Sequence, residues 1–229
     1  MSSKKLVIIG GEGNGGVVAA CVEEMSLKHG NGEWQILGFL NDFHKGTICG
    51  QSVLGPTMEV ASLLKDEDIY FSFAVHPIEH GMVRVKLFEQ LNIPDKRLAT
   101  IIHPSAFVAP NAEIGPGCFI MANTYIGPQT VLEKSVYVMA NCVIGHNDRI
   151  GRFCHISAGS TISSYVKIGE ASDVCLAASV LEKVTIGSYC VIGANALLTK
   201  STGDSELYIG SPARLHRTIE LKEYELNEG

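Results

Sequence analysis

No stretch of this 229-residue chain approaches the roughly 20 consecutive apolar residues that a spanning helix needs, so no helical membrane span is expected. Basic residues are few. The 18 Lys and Arg stand against 24 Asp and Glu, a formal charge of −6, which argues against general nucleic-acid binding. An anionic ligand would have to be held by backbone dipoles or a few placed cations. Seven cysteines occur without a Cys-x-x-Cys pair, which removes the usual zinc-ribbon and dithiol signatures. The opening Met-Ser-Ser-Lys-Lys-Leu-Val-Ile-Ile-Gly runs into a strand pattern and lacks the layout of a cleavable signal, so the expected location is the cytoplasm.

What is present in quantity is a repeat. Taken six residues at a time from Ile102, the chain passes Val108, Ile114, Ile120, Ile126, Leu132 and onward to Ile192 and Leu198, and every stop is aliphatic. Two residues before each stop the side chain is small, with Asp148 as the exception. A period of six fits neither an amphipathic helix, near 3.6, nor a simple strand, at 2. It predicts a solenoid of short strands in which the small and the aliphatic residue both point inward, three sides closing a coil of about eighteen residues. Cys118, Cys142, Cys154 and Cys190 occupy the small slot and are expected to be core filler. The glycines after the stops, such as Gly115, Gly127, Gly145 and Gly151, are expected where a corner needs a permissive backbone.

Residues 1–98 read differently. Lys4 to Ile9 is a short apolar run ending in Gly10-Gly11-Glu12-Gly13-Asn14-Gly15-Gly16, and Val17 to Lys28 has helical character. Strand, glycine turn and helix together suit an anion, because backbone N–H groups and a helix N-terminus converge there. A second strand, Trp34 to Leu40, ends in Asn41-Asp42, where a doubly wound sheet presents ligand-binding groups. A short helix to about Lys65, a strand Ile69 to Val75 and a helix from Pro77 to about Leu91 complete a half-Rossmann α/β domain. That domain is too short for a full dinucleotide site. Residues 99–229 form the second domain, with the solenoid to about Lys200, an extended segment Tyr208 to Arg214 and a terminal cap helix from Thr218 to Asn227.

Two histidines lie well inside the repeat. His146 follows Ile144-Gly145 at a corner and is expected to project outward. Asp148, a carboxylate in a small inward slot, is costly unless compensated, and it is a candidate to orient that imidazole. His155 is nine residues on, half a coil away, so a site using both histidines must lie between two packed solenoids.

The period with its Ile-Gly steps resembles the hexapeptide repeat of left-handed parallel β-helices. With Ile102-His103-Pro104-Ser105-Ala106, Val143-Ile144-Gly145-His146, Cys154-His155-Ile156-Ser157 and Ile209-Gly210-Ser211-Pro212-Ala213, the chain resembles the sugar acyltransferases that include sialic-acid O-acetyltransferases and UDP-4-amino-sugar N-acetyltransferases. The resemblance implies an acetyl-CoA-dependent N-acetyltransferase acting on a nucleotide-linked amino sugar of the 4-amino-4,6-dideoxy or trideoxy hexose type. It implies a homotrimer with active sites between subunits. His146 would be the general base with Asp148 beside it, and His155, Ser164, Leu176 and Ala194 would meet the coenzyme. Gly13, Asn14, Gly15, Asn41, Asp42 and His76 would hold the nucleotide sugar; no metal is implied. Two departures from the family pattern are Asn14, where His is usual, and Asn147, where Glu often follows the base. Asp148 is expected to supply the carboxylate lost at Asn147. A free imidazole, with an ordinary pKa near 6.5, is suited to take a proton from an attacking amine.

Three alternatives stay open on sequence. They are O-acetylation of a sialic-acid-type hydroxyl, a zinc-dependent β-helical hydrolase or anhydrase needing three converging histidines, and a non-catalytic trimeric scaffold. The spacing His76-x-x-x-His80 also has the look of a helical metal-ligand pair.

Overall fold

The computed structural model describes residues 3–221. Its first domain contains β1 (Lys4–Ile9), α1 (Asn14–His29), β2 (Trp34–Leu40), β3 (Thr47–Ile48), β4 (Gln51–Gly55), α2 (Val60–Leu63), β5 (Ile69–Phe73) and α3 (Gly81–Leu91). The sheet order is β3-β4-β2-β1-β5, parallel except for the β3–β4 hairpin. Apolar β1, buried from Leu6 to Ile9, lies between β2 and β5, and α1 packs Val18, Ala19, Val22 and Met25 into the core beside it. The hairpin was not foreseen. Its turn, Cys49-Gly50, has φ of 49° and 76°, the doubly left-handed geometry of a two-residue hairpin, but it lacks the Asn-Gly or Asp-Gly that normally advertises one.

The second domain begins with seventeen two-residue strands, β6 (Ile101–Ile102) through β22 (Leu197–Leu198), one every six residues. They stack in parallel as the three faces of a left-handed β-helix. The second residue of each strand points inward, and with the small slot it forms one continuous core. The first points outward, and the outward rows differ by face. One row, Ile101, Phe119, Tyr137, His155, Asp173 and Val191, is buried beneath the first domain. A second row, including Glu113, Arg149 and Lys167, is exposed and charged. The third presents Phe107, Tyr125 and Val143, each more than 40% exposed, with the first two rings stacked 5.0 Å apart.

The glycines after the aliphatic stops serve a purpose other than the one expected. The left-handed corner position lies three residues after each stop and is usually not glycine: Asn123, Gln129, Asn141, Asn147, Tyr165 and Asn195 all have φ near +60°. The glycines instead permit close approach between coils. A Cβ on Gly115 would stand 2.7 Å from the carbonyl carbon of Glu133, and one on Gly151 would stand 2.9 Å from backbone atoms of residues 168–170.

Beyond the last rung, β23 (Glu206–Ile209) pairs with β21 (Val191–Ile192) and turns back into β24 (Arg214–Thr218), extending the covered face. This hairpin replaces the start of the expected cap helix. Thr218 ends a strand, Ile219 to Leu221 are not helical, and residues 222–227 lie outside the described residues.

The domains are fastened by a buried ion pair. Arg84 of α3, fully buried, donates from Nη2 to Asp173 Oδ1 at 2.8 Å and from Nη1 to the Phe153 carbonyl at 2.7 Å. Asp173 Oδ2 accepts the Glu79 N–H at 2.9 Å. Burial pushes the Asp173 carboxyl up from its ordinary value, while the guanidinium and that N–H pull it back.

Two stability outcomes follow. Gly115→Ala should cost about 1–3 kcal/mol in chemical denaturation, because the added methyl meets backbone that cannot swing aside; an unchanged midpoint would mean the coils can spread. Arg84→Met should cost about 3–5 kcal/mol by stranding a buried carboxylate, and Arg84→Met with Asp173→Leu should recover most of that loss.

Candidate active site

A cavity of about 540 Å³ opens at the carboxyl ends of β1, β2 and β5, lined by Gly10, Gly11, Asn41, Asp42, His76 and His80 among others. Such crevices in parallel sheets are where ligands bind. Helix α1 starts immediately beyond the glycine loop with no side-chain cap and no acidic residue in its first turn, so its positive end is available to an anion.

The glycines divide by role. Gly10 and Gly11 line the cavity. Gly13 is open, with nothing within 4 Å of where a Cβ would stand, whereas a Cβ on Gly15 would stand 3.1 Å from the Phe39 ring. Gly15 is therefore needed for packing, and what it can offer a ligand is its backbone N–H in the first turn of α1. Asn14 spends its amide on the His76 carbonyl at 3.4 Å, and its own carbonyl accepts the Tyr137 hydroxyl at 2.9 Å.

Asn41 and Asp42 also begin with structural work. Asn41 Nδ2 donates to the Gly10 carbonyl at 3.1 Å, and its Oδ1 accepts the N–H groups of Phe43 and His44 at 2.8 and 2.7 Å. Asp42 accepts the Thr57 N–H at 2.8 Å and the Thr57 hydroxyl at 2.9 Å. These bonds hold the cavity rim in shape, and each carboxylate oxygen retains acceptor capacity.

His76 presents its ring to the cavity, not its nitrogens. Arg84 Nη1 is always a donor, so His76 Nδ1, 3.2 Å away, must accept; Nε2 then carries the proton and donates to the Phe73 carbonyl at 3.3 Å. Burial first and the guanidinium second hold this imidazole neutral, with its pKa well below the ordinary value. The structure thus corrects His76 as a polar substrate ligand. It also corrects the His76/His80 metal spacing, since α3 begins only at Gly81.

His155 faces the first domain from the covered side of the β-helix, where the expectation had it on the coenzyme groove. Its ring lies 5.7 Å from that of His76 and 5.6 Å from that of Tyr137. Burial, and after it the Arg84 charge, drives its pKa down to about 3. Asp173 Oδ1 is 3.9 Å from Nδ1, too far for a hydrogen bond, and neither ring nitrogen has a partner. Both nitrogens are buried and their hydrogen-bonding capacity is unspent.

His146 projects from the corner between the apolar and charged faces and is exposed. Its Nδ1 is 2.8 Å from Asn147 Oδ1, and Asn147 Nδ2 in turn donates to Gln129 Oε1. With an amide oxygen as its partner, Nδ1 carries the proton, which leaves the Nε2 lone pair free. The Tyr165 ring meets the imidazole edge-on at 5.1 Å, and Ser164 Oγ accepts the His146 N–H at 3.3 Å. The orienting partner is therefore Asn147, backed by Gln129, and not Asp148, whose side chain is turned inward. Gln129 was not expected, although it lies eighteen residues before Asn147 on the same corner.

Leu176 and Ala194, eighteen residues apart, are exposed on the corner between the covered and apolar faces. Ser164 shares the corner of His146. The apolar face therefore separates two edges that carry the remaining expected coenzyme contacts, and within one chain they form no single pocket. Among the described residues Glu24, His29 and His103 bring three potential ligand atoms within 4.8 Å of one another. His103 Nε2 already lies 2.7 Å from Glu24 Oε2, and its Nδ1 accepts the Ser105 N–H at 3.1 Å. That cluster ties α1 to the first coil and is not the convergence of three histidines that a zinc site would need.

The description "PglD N-terminal domain" fits residues 5–91 of this chain. The acetyltransferase domain of PglB from Neisseria gonorrhoeae, solved in complex with acetyl coenzyme A, is similar over 93% of this chain and all of that one, with TM-score 0.81 and 30% identity. PerB from Caulobacter crescentus, solved with CoA and GDP-perosamine, is similar over 94% of this chain and 99% of that one, with TM-score 0.78 and 26% identity. UDP-N-acetylbacillosamine N-acetyltransferase of Bacillus subtilis is 31% identical over 121 residues, and the match spans about half of each protein, 52% in both cases. With both its glycine-turn domain and its six-residue repeat matched end to end at that identity, the chain belongs to the hexapeptide-repeat acyltransferases that carry a PglD N-terminal domain.

Proposed function

We propose that this chain transfers the acetyl group of acetyl-CoA to the amine of a nucleotide-linked amino sugar, a 4-amino-4,6-dideoxy or trideoxy hexose, with His146 as general base. The observation that carries the reading is the tautomer lock at His146: Nδ1–H is held by Asn147, and the Nε2 lone pair faces out of an exposed corner. The relatives solved with acetyl coenzyme A, and with CoA and GDP-perosamine, support the two substrates. The nucleotide sugar would enter the cavity over Gly10 and Gly11 with its diphosphate toward the N-terminus of α1.

The amine nitrogen attacks the thioester carbonyl carbon, a C–N bond forms, and the proton released by nitrogen passes to His146 Nε2. Collapse of the tetrahedral intermediate breaks the C–S bond, and the same proton can leave with the coenzyme thiolate. Backbone N–H groups at the coil corners would meet the oxyanion, each good donor contributing on the order of 3 kcal/mol.

The chain would act as a homotrimer assembled through the apolar face. Exposed Phe107, Tyr125 and Val143 form a row that a soluble chain gains by covering. A head-to-tail ring through that face would set the edge bearing His146 and Ser164 beside the neighbour's edge bearing Leu176 and Ala194. His155, whose ring lies 5.7 Å from that of His76 at the cavity wall, would keep two unspent ring nitrogens for the acetyl-CoA side.

His146→Ala should reduce turnover by roughly 10² to 10⁴ with the trimer intact by sedimentation; a full rate in that variant would remove the base. Gln129→Ala should give a smaller loss. Tyr125→Glu should yield a smaller species with little activity, and an active trimer in that variant would reject the apolar face as the contact. Thiol release measured with nucleotide-linked amino sugars against sialic-acid acceptors separates N- from O-acetylation.

A further inference from the structure

The small inward slot of the repeat does more than fill space. Hydroxyls of Thr124, Thr130, Ser160 and Ser172 donate to the carbonyls of Met139, Gly145, Cys175 and Gly187 at 3.1, 2.9, 2.9 and 2.7 Å. The thiols of Cys118, Cys142 and Cys154 do the same to Glu133, Ser157 and Gly169 at 3.0, 3.1 and 3.0 Å. In each case the acceptor lies fifteen residues on, in a turn of the next coil. The hydroxyl oxygen can also accept an N–H from eighteen residues on, as Ser172 Oγ does from Cys190 at 3.0 Å.

Asp148 occupies this slot. Its Oδ1 accepts the Val166 N–H at 2.7 Å, eighteen residues on, as a hydroxyl would. Its Oδ2 is buried and has no partner. The register assigns that oxygen the carbonyl of Ser163, fifteen residues on, and among the described residues that carbonyl receives no backbone N–H. Two acceptors set against each other at that register would repel, and one proton between them would turn the pair into a hydrogen bond.

We propose that Asp148 is carried as a neutral carboxylic acid whose Oδ2–H donates to the Ser163 carbonyl, making it a positioning residue for the His146 corner and not a charged partner of the imidazole. The Ser163-Ser164 turn is the one whose Ser164 Oγ accepts the His146 N–H. Fastening that turn from inside fixes the backbone that carries His146. This part of the inference rests on His146 being the base.

The surroundings favour the neutral form. The Thr130 hydroxyl of the coil before meets only the Asp148 backbone N–H, while the N–H groups of Val166 and Gly145 favour the charged form. In the adjacent slots, burial pushes the thiols of Cys142 and Cys154 up to about 11 and about 12, so both are uncharged. The His146 imidazole, on the same corner, is the one side chain that acts on the group through charge, and where it is protonated it favours ionisation. Burial outweighs it and pushes Asp148 up to about 7. The folded value lies above the unfolded one near 3.9, so the contribution to stability is full below about pH 4 and is lost as pH rises through 7.

The test begins with the native trimer. Isotope-edited infrared spectroscopy of aspartate-labelled protein should show a protonated carboxyl C=O band at pH 5 that fades with a midpoint near 7 and is missing from Asp148→Asn. An amide keeps both bonds without titrating, so Asp148→Asn should melt several degrees above the parent at pH 9 and close to it at pH 5, and its alkaline loss of kcat should shrink. No protonated band at pH 5, or a variant that melts with the parent's pH dependence, overturns the proposal. Should Asp148→Asn fail to fold, Asp148→Cys, matching the neighbouring slots, carries the same comparison. A fully active His146→Ala would instead remove the base and leave the infrared and melting results to judge Asp148.

Discussion

One constraint governs this molecule, the eighteen-residue register between coils. Through most of the stack an outward strand residue sends its N–H to a carbonyl seventeen residues on, as Ile101 does to Cys118, Phe107 to Thr124 and Glu113 to Thr130. Most left-handed corner residues send their N–H back nineteen, as Asn147 does to Pro128 and Tyr165 to His146. Those return bonds offset the unfavourable backbone of the corners, of order 1–2 kcal/mol for a residue with a Cβ. The same register decides which side chains can cooperate. Gln129 reaches Asn147, Ser164 reaches the His146 N–H, and Asp148 reaches Val166 because each pair is eighteen apart. The corner that bears His146 is therefore held by the same bonds that hold the fold, which is how an exposed imidazole keeps one orientation.

The register is uniform, but the three faces are not. A stack of identical rungs would offer three equal surfaces, and here one is spent on the first domain, one on solvent and one is left apolar. The covered face carries His155 and Asp173 inward against α3, where Arg84 balances the acid and sets the tautomer of His76. The ion pair thus does two jobs, docking the domains and silencing a histidine at the cavity wall. His155 is kept neutral first by burial and then by the same guanidinium, to which it is not bonded, so its ring nitrogens stay unspent.

This difference marks how far the sequence could be read. The period of six gave the β-helix, its inward residues and the outward corner position of His146, because each depends only on the spacing along one chain. The slot cysteines were legible as buried, but their thiol hydrogen bonds were not, since the acceptors lie in another coil. The glycines were located correctly and explained wrongly; spacing marks a tight place without saying whether φ or the neighbouring coil makes it tight. What His155 and His76 face was not legible, because the docking of the first domain, a contact across many residues, determines it. Asn147 was seen as a departure, and its substitute function became visible only with Gln129 stacked beneath it.

That substitution has a chemical consequence. A carboxylate next to a catalytic histidine fixes the tautomer and also stabilises the imidazolium. Asn147 can do only the first, since an amide brings orientation without charge. With Asp148 neutral, as proposed above, the corner would offer no anion to an arriving acceptor. An amino sugar would approach mostly as its ammonium form, and a carboxylate beside His146 would hold it there by ion pairing. A corner held by amides and a protonated acid would instead admit the uncharged amine, the form that can attack a thioester. Asparagine after His146 would thus forgo one stabilising interaction for an imidazolium and, in the same step, spare an amine acceptor that trap.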